Sequence, residues 1–202
     1  MQLPELLALS LASALASGLN VYASVLLLGL LQRYQVIQLP GAMATLGHDW
    51  VLIAAGVLYC IEFIADKIPV FDSFWDAIHT FIRIPIGAAL SAGMFNQFEP
   101  HWQWIMAMAG GFLAFQSHGT KASVRLTANT SPEPFSNWAL SLVEDALAFG
   151  LVWLAAQHPY LAIALAGAIA VGLFFLLRMI FRAIGKLWQR LFGPRTEQSV
   201  QT

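Results

Sequence analysis

The chain has 202 residues, of which 58% are hydrophobic and only 10% charged, with a mean hydropathy of +0.68. A soluble domain carries about 25% charged residues, so the composition excludes a soluble globular protein, a disordered chain and a nucleic-acid binder. A formal net charge of -1 supplies no field to draw acidic partners, and the lone cysteine, Cys60, excludes an internal disulfide framework and a cysteine-based zinc site.

About 20 apolar residues cross a ~30 Å hydrocarbon core. The first such stretch runs from Leu6 to Leu31. Its length and its lack of a basic start argue against a cleaved leader. Ser13, Ser17, Gly18, Asn20, Tyr22 and Ser24 lie in its middle. Small residues there let helices approach closely; the alternative is a break at Ser17-Gly18-Leu19-Asn20 that exposes backbone groups to a solute. A second span is predicted from Trp50 to Ile68. Glu62 lies about 18 Å into it at ~1.5 Å per residue. Asp66 follows one turn later on the same face, and Tyr59 precedes by one turn.

The segment Phe71 to Arg83 is bracketed by Pro69 and Pro85. Phe71, Phe74, Trp75, Ile78 and Ile82 follow helical spacing, with Asp72, Asp76, His79 and Arg83 on the opposite face. It reads as an amphipathic helix connecting spans two and three, or as a re-entrant element whose Asp72, Asp76, His79 and Arg83 line a cytoplasmic vestibule. His79 with Asp72 and Asp76 is a weak combination for a metal, which is left unassigned. A short third span is expected from Pro85 to Phe98, and it is open whether it fully crosses. A fourth runs from Trp102 to Leu126, with Gly110-Gly111 for packing and a polar run at Gln116-Ser117-His118-Gly119-Thr120-Lys121. His118 is a candidate proton carrier; Lys121 is placed to meet an anion or to neutralise Glu144.

A polar turn, Asn129-Thr130-Ser131-Pro132-Glu133-Pro134, precedes the fifth span, with Ser136 as the expected N-cap. That span, Asn137 to Gln157, carries a narrow stripe of Asn137, Ser141, Glu144 and Asp145. The sixth runs from Tyr160 to Ile184. Arg178, Arg182, Lys186 and Arg190 then recur every four residues, with Leu187, Leu191 and Phe192 elsewhere around the helix. This reads as a helix that follows the inner headgroups and is held by anionic lipid, with partner binding as the alternative.

Nine of the ten basic residues, all but Arg33, then fall on one side; Arg195 in the tail is among them. By the positive-inside rule both termini are cytoplasmic. Ala23-Ser24-Val25-Leu26-Leu27 resembles Ala122-Ser123-Val124-Arg125-Leu126, and Leu58-Tyr59-Cys60-Ile61-Glu62 resembles Leu140-Ser141-Leu142-Val143-Glu144. These pair spans one with four and two with five, which gives a 3+3 inverted repeat with a site at its interface. The expectation is an all-α integral membrane protein of about six transmembrane helices. One transmembrane domain covers residues 1–185, in halves of about 1–98 and 99–185, and residues 186–202 form a basic cytoplasmic tail.

An acidic residue at a helix centre costs about 2.5–3.5 kcal/mol on translocon scales. Glu62, Asp66, Glu144 and Asp145 must therefore face each other, water, cations, or the basic groups Lys67, Arg83, Lys121 and Arg125. Intramembrane acids are site hypotheses by default. The binding-site candidates are Glu62, Asp66, Glu144, Asp145, Asn20, His118, Lys121 and Arg125. Internal helix glue is the competing role. Lipase, zinc-protease, P-loop and dinucleotide motifs are absent, so an enzyme and a cofactor are not expected.

Gly18-Leu19-Asn20-Val21-Tyr22, Glu62-Phe63-Ile64-Ala65-Asp66-Lys67-Ile68-Pro69, His118-Gly119-Thr120-Lys121-Ala122-Ser123, Asn129-Thr130-Ser131-Pro132-Glu133-Pro134 and Glu144-Asp145 resemble a bacterial and plant membrane-protein family labelled domain of unknown function four-one-two-six. The resemblance spans roughly Leu6 to Leu154. It implies a membrane setting and no chemistry. Exporters of manganese and calcium with two Glu-x-Gly-Asp-Lys-Thr/Ser repeats are an analogy only, because Glu62 to Lys67 has an extra residue and no glycine, and Glu144-Asp145 lacks the lysine.

The reading is a small transporter or channel of the bacterial inner membrane, moving an ion or a small polar or anionic solute through a carboxylate-lined cavity. A non-transporting scaffold or assembly subunit and phospholipid translocation are the alternatives. Partners are the bilayer, anionic lipid at the C-terminal helix, and the ion or solute, with no nucleic acid. Oligomeric state, substrate, coupling ion and direction are left open.

Overall fold

A computed structural model describes residues 1–68, 71–129 and 134–192. Pro69, the turn at 130–133, and the tail at 193–202 with Arg195 lie outside the described residues. So do the side chains of Leu187, Arg190, Leu191 and Phe192. The described residues are all-helical: α1 (Leu3–Leu19), α2 (Val21–Arg33), a 3-10 helix (Gly41–Gly47), α3 (Asp49–Ala65), α4 (Phe71–Gly93), α5 (Pro100–Ala128), α6 (Pro134–Gln157) and α7 (Pro159–Phe192).

By length and composition, Phe135–Gln157 and Pro159–Lys186 can each cross a membrane. The 3-10 helix and α3, bent by 64°, form a third candidate as a pair. The remaining helices are shorter, as in α1 and α2, or carry charge, as in α4 and α5.

The polarity of the molecule is inverted relative to a soluble protein. Arg83, Arg125, Glu62 and Asp72 are wholly buried, while Phe81 is 82% exposed and Trp104, Met108, Phe112, Val171 and Phe175 also face outward. An apolar exterior of this extent is the surface of a protein that meets lipid or other protein rather than water. With the apolar helices α6 and α7, it marks a membrane protein.

The first apolar stretch is two helices. α1 ends at Leu19, Asn20 is extended, and its Oδ1 accepts a 2.9 Å hydrogen bond from the Ala23 N–H to cap α2. A polar cap in mid-stretch outcompetes helix continuation, so the break and the small-residue packing occur together. α1 runs through the middle of the fold and packs on α4, α5, α6 and α7. Its serines and alanines are buried on nearly every side, which lets four neighbours close around it.

The α1, α4 and α5 backbones approach most closely at glycines. A Cβ on Gly110 would sit 2.7 Å from the Gly87 carbonyl oxygen, and one on Gly18 would sit 2.9 Å from the His118 amide nitrogen. Gly110→Leu therefore cannot be absorbed by side-chain motion. Overpacking of a tight core costs typically about 1–3 kcal/mol or more, and thermal unfolding in detergent should show that loss. An unchanged midpoint would mean that the helices are free to separate there.

α2 stops at a Schellman motif. The Val36 N–H bonds the Leu31 carbonyl at 2.9 Å, the Gln35 N–H bonds the Gln32 carbonyl at 3.1 Å, and Gln35 has φ 57°. Glycine adopts this conformation without strain, so Gln35→Gly is expected to stabilise the protein by up to about 1 kcal/mol, read as a raised unfolding midpoint.

Two local expectations are corrected. Pro85 does not separate two elements, because α4 continues from Phe71 to Gly93 with Pro85 inside it. The proline forfeits one N–H, but buried contacts on both sides hold the helix: Asp76 and Arg83 before it, Gly87, Leu90 and Ser91 after. Ser136 is not the residue preceding α6. The helix begins at Pro134, whose fixed φ suits a first helical position, so Ser136 lies in the first turn. The last helix agrees with the expectation: its candidate span Pro159–Lys186 ends two residues beyond Ile184, and α7 continues without a break to Phe192.

Candidate functional site

α4 is an inside-out amphipathic helix. Its polar positions Asp72, Asp76, His79 and Arg83 turn toward α2, α3 and α5, and its aromatic face turns outward. This joins the expected vestibule residues Asp72, Asp76 and Arg83 with the intramembrane acids Glu62, Asp66 and Glu144 in one buried network. Asp72, Asp76, His79 and Arg83 are buried, so they line no open vestibule here.

Three cations organise the network. Arg83 Nη2 donates to Glu62 Oε1 at 2.6 Å, and Nη1 donates to Asp76 Oδ1 at 2.8 Å and His118 Nδ1 at 3.0 Å. A guanidinium only donates, so His118 Nδ1 is an acceptor and its proton sits on Nε2. That Nε2–H donates to Thr80 Oγ1 at 2.7 Å, and the Thr80 hydroxyl donates to the Asp76 carbonyl at 3.1 Å. His118 is thus a neutral strut that positions Arg83.

Lys121 Nζ donates to Asp66 Oδ2 at 2.8 Å and to the Leu19 carbonyl at 3.0 Å. Glu144 Oε2 lies 3.3 Å away, Asp76 Oδ1 3.6 Å and Glu62 Oε1 3.7 Å. The ammonium therefore sits among four carboxylates and on the carbonyl end of α1, where the helix dipole favours a cation.

Arg125 uses all five guanidinium donors. Nε and Nη2 fork onto both oxygens of Glu144. Nη1 donates to the Asp66 carbonyl at 2.7 Å and to Asp72 Oδ2 at 3.4 Å, and Nη2 also reaches Asp66 Oδ2 at 3.0 Å. One side chain of α5 thereby ties the end of α3, the start of α4 and the middle of α6. Asn129 extends this edge, donating to Asp72 Oδ1 at 2.8 Å while it accepts from Asn137 at 2.6 Å.

Asp145 neighbours Glu144 in sequence but faces elsewhere, as consecutive helical positions do. It accepts from Asn20 Nδ2 at 2.9 Å and from the Tyr59 hydroxyl at 3.4 Å. Asn20 thus caps α2 with one amide atom and holds Asp145 with the other. His79 donates from Nδ1 to the Trp75 carbonyl at 2.8 Å and bonds the Tyr22 hydroxyl through Nε2 at 3.0 Å.

Glu62, Asp66, Asp72, Asp76, Glu144 and Asp145 are six buried carboxylates against the three buried cations Arg83, Lys121 and Arg125. Lys67 stands at the rim, over the Phe63 ring, and donates to Ser141 at 3.2 Å. Glu62 Oε2, Asp66 Oδ1 and Asp76 Oδ2 are buried with no hydrogen-bond partner among the described residues. No group of three His, Cys, Asp or Glu side chains among the described residues has a metal-holding arrangement. A cavity of about 200 Å³ between α1, α5, α6 and α7 reaches the network at Lys121 and Glu144, with leucine walls.

Of the residues named from the sequence, Glu62, Asp66, Asp72, Asp76, Arg83, His118, Lys121, Arg125 and Glu144 share this network, Asp145 and Asn20 pair beside it, and His79 bonds Tyr22 and Trp75. Thr80 was not among them, although it is four residues after Asp76 on the same side of α4, and a helical wheel would have found it.

A family model described as Domain of unknown function (DUF4126) matches residues 7–179. No curated protein and no solved structure matches the chain.

Proposed function

The chain belongs to the DUF4126 family, whose function is open, and we propose that it is a small secondary transporter or channel whose coupling site is the buried carboxylate network. The observation that carries the reading is the excess of acid. Among the described residues six buried carboxylates face three buried cations, and three of their oxygens have no hydrogen-bond partner. Burying unpaired charge costs several kcal/mol per ion or more. A site so built takes up protons or a cation, and releases them when it opens. The helix break at Asn20 supports the same reading, since discontinuous helices whose ends meet charged groups are a transporter device.

The proposal includes six crossings, with α1 and α2 as one broken span, related as inverted halves. It places both termini on the cytoplasmic side of a bacterial inner membrane. Glu62 of α3 and Glu144 of α6 occupy the matching positions of the sequence repeat, and both reach the network.

Proteoliposomes loaded with a pH-sensitive dye test it across a solute panel under an imposed proton gradient. A solute-dependent proton flux is expected, and Glu62→Gln and Asp76→Asn should reduce it at least tenfold while the protein stays folded. Flux unchanged in both variants would sink the role given to these acids. Absence of any flux would favour a second reading, a static scaffold, which the full satisfaction of Arg125 supports.

A further inference from the structure

We propose that the groove between α5 and α7 is a binding site for an anionic glycerophospholipid of the surrounding bilayer. The groove has a volume of about 550 Å³ and is walled by Phe112, Phe115, Phe174 and Phe181, with Arg178 and Arg182 along one edge. Both arginines are exposed, and no carboxylate among the described residues forms an ion pair with either. Two unneutralised guanidiniums one turn apart suit a phosphodiester, which accepts forked hydrogen bonds. Four aromatic rings beside them suit an acyl chain.

Depth agrees with this assignment. Arg178 lies nineteen residues beyond Pro159, the start of the apolar span Pro159–Lys186. At ~1.5 Å per residue that is about 28 Å, the far edge of a ~30 Å hydrocarbon core. Phosphates lie at that level, and the rings lie where chains begin. Gln116 is 2% exposed and forms part of the groove, and its Oε1 has no hydrogen-bond partner among the described residues. A headgroup glycerol hydroxyl supplies a donor for it.

Diffuse attraction of a basic helix to anionic lipid would depend on every cation alike. A built groove depends on the two that border it. Lys186 continues the same basic face but does not line this groove, so it is the internal control.

Native mass spectrometry of the full chain, released from micelles with equimolar phosphatidylglycerol and phosphatidylcholine, separates these cases. Phosphatidylglycerol is expected to be retained at least tenfold more than phosphatidylcholine. Arg178→Gln with Arg182→Gln should abolish that preference, while Lys186→Gln changes it less than twofold. Equal retention of the two lipids, or an unchanged preference in the double variant, would overturn the proposal. So would a Lys186→Gln effect as large as the double variant's, which means surface charge alone. Displacement of the lipid by inorganic phosphate at matched concentration would also overturn it, because the chains would then contribute nothing. None of these outcomes depends on flux through the carboxylate network.

Discussion

Arg125→Gln is expected to destabilise the protein by about 3–5 kcal/mol, the range for removing one partner of a buried ion pair. All five donors of Arg125 are engaged, and the side chain is wholly buried. Its loss removes the fork from Glu144 and one cationic donor each from Asp72 and Asp66 in a buried site. Arg125→Lys restores only part of the stability, because an ammonium cannot form the fork onto Glu144 or reach α3 and α4 at once. The double variant Arg125→Gln, Glu144→Gln is expected to be more stable than Arg125→Gln alone, since it leaves no lone carboxylate in the fork's place. Thermal unfolding in detergent measures all three. Equal midpoints for wild type and Arg125→Gln would show that the buried network does not hold the helices.

Lys121→Met should cost a similar amount, about 3–5 kcal/mol at neutral pH, and its deficit should shrink on acidification. The ammonium lies within 4 Å of Asp66, Glu144, Asp76 and Glu62, and the Leu19 carbonyl loses its partner as well. Without the lysine the buried site lacks one positive charge, and protons taken up by the site as a whole replace it as pH falls. The folded variant then binds more protons than its unfolded chain. Its stability therefore falls as pH rises and is regained as pH drops. Unfolding midpoints between pH 5 and pH 8 read this directly. A variant deficit independent of pH would mean that Lys121 contributes packing rather than charge.

The site residues were legible because charge is scarce. In a chain with 10% charged residues, a glutamate twelve positions into an apolar stretch has few explanations. The period of Asp72, Asp76, His79 and Arg83 also marked a face correctly. Its direction was misjudged: in a soluble protein such a face meets water, whereas here it meets other charges and the rings meet lipid. Tyr22 and Asn129 carried no signal for their roles, because those roles come from partners 57 residues away; Thr80 shares the helical face of Asp76 and could have been read from it.

By itself the sequence determined the membrane setting, the helical class and the set of polar groups that had to be buried together. Hydropathy and helical period are local properties, and a lipid exterior leaves charge only one place to go. The tertiary structure decided which acid meets which cation, that the first apolar stretch breaks at Asn20, and that Pro85 interrupts nothing. Those outcomes depend on how helices distant in sequence rotate and approach, as when Asn20 reaches Asp145 across 125 residues. The same assembly turned two separately read polar faces into a single carboxylate-rich site.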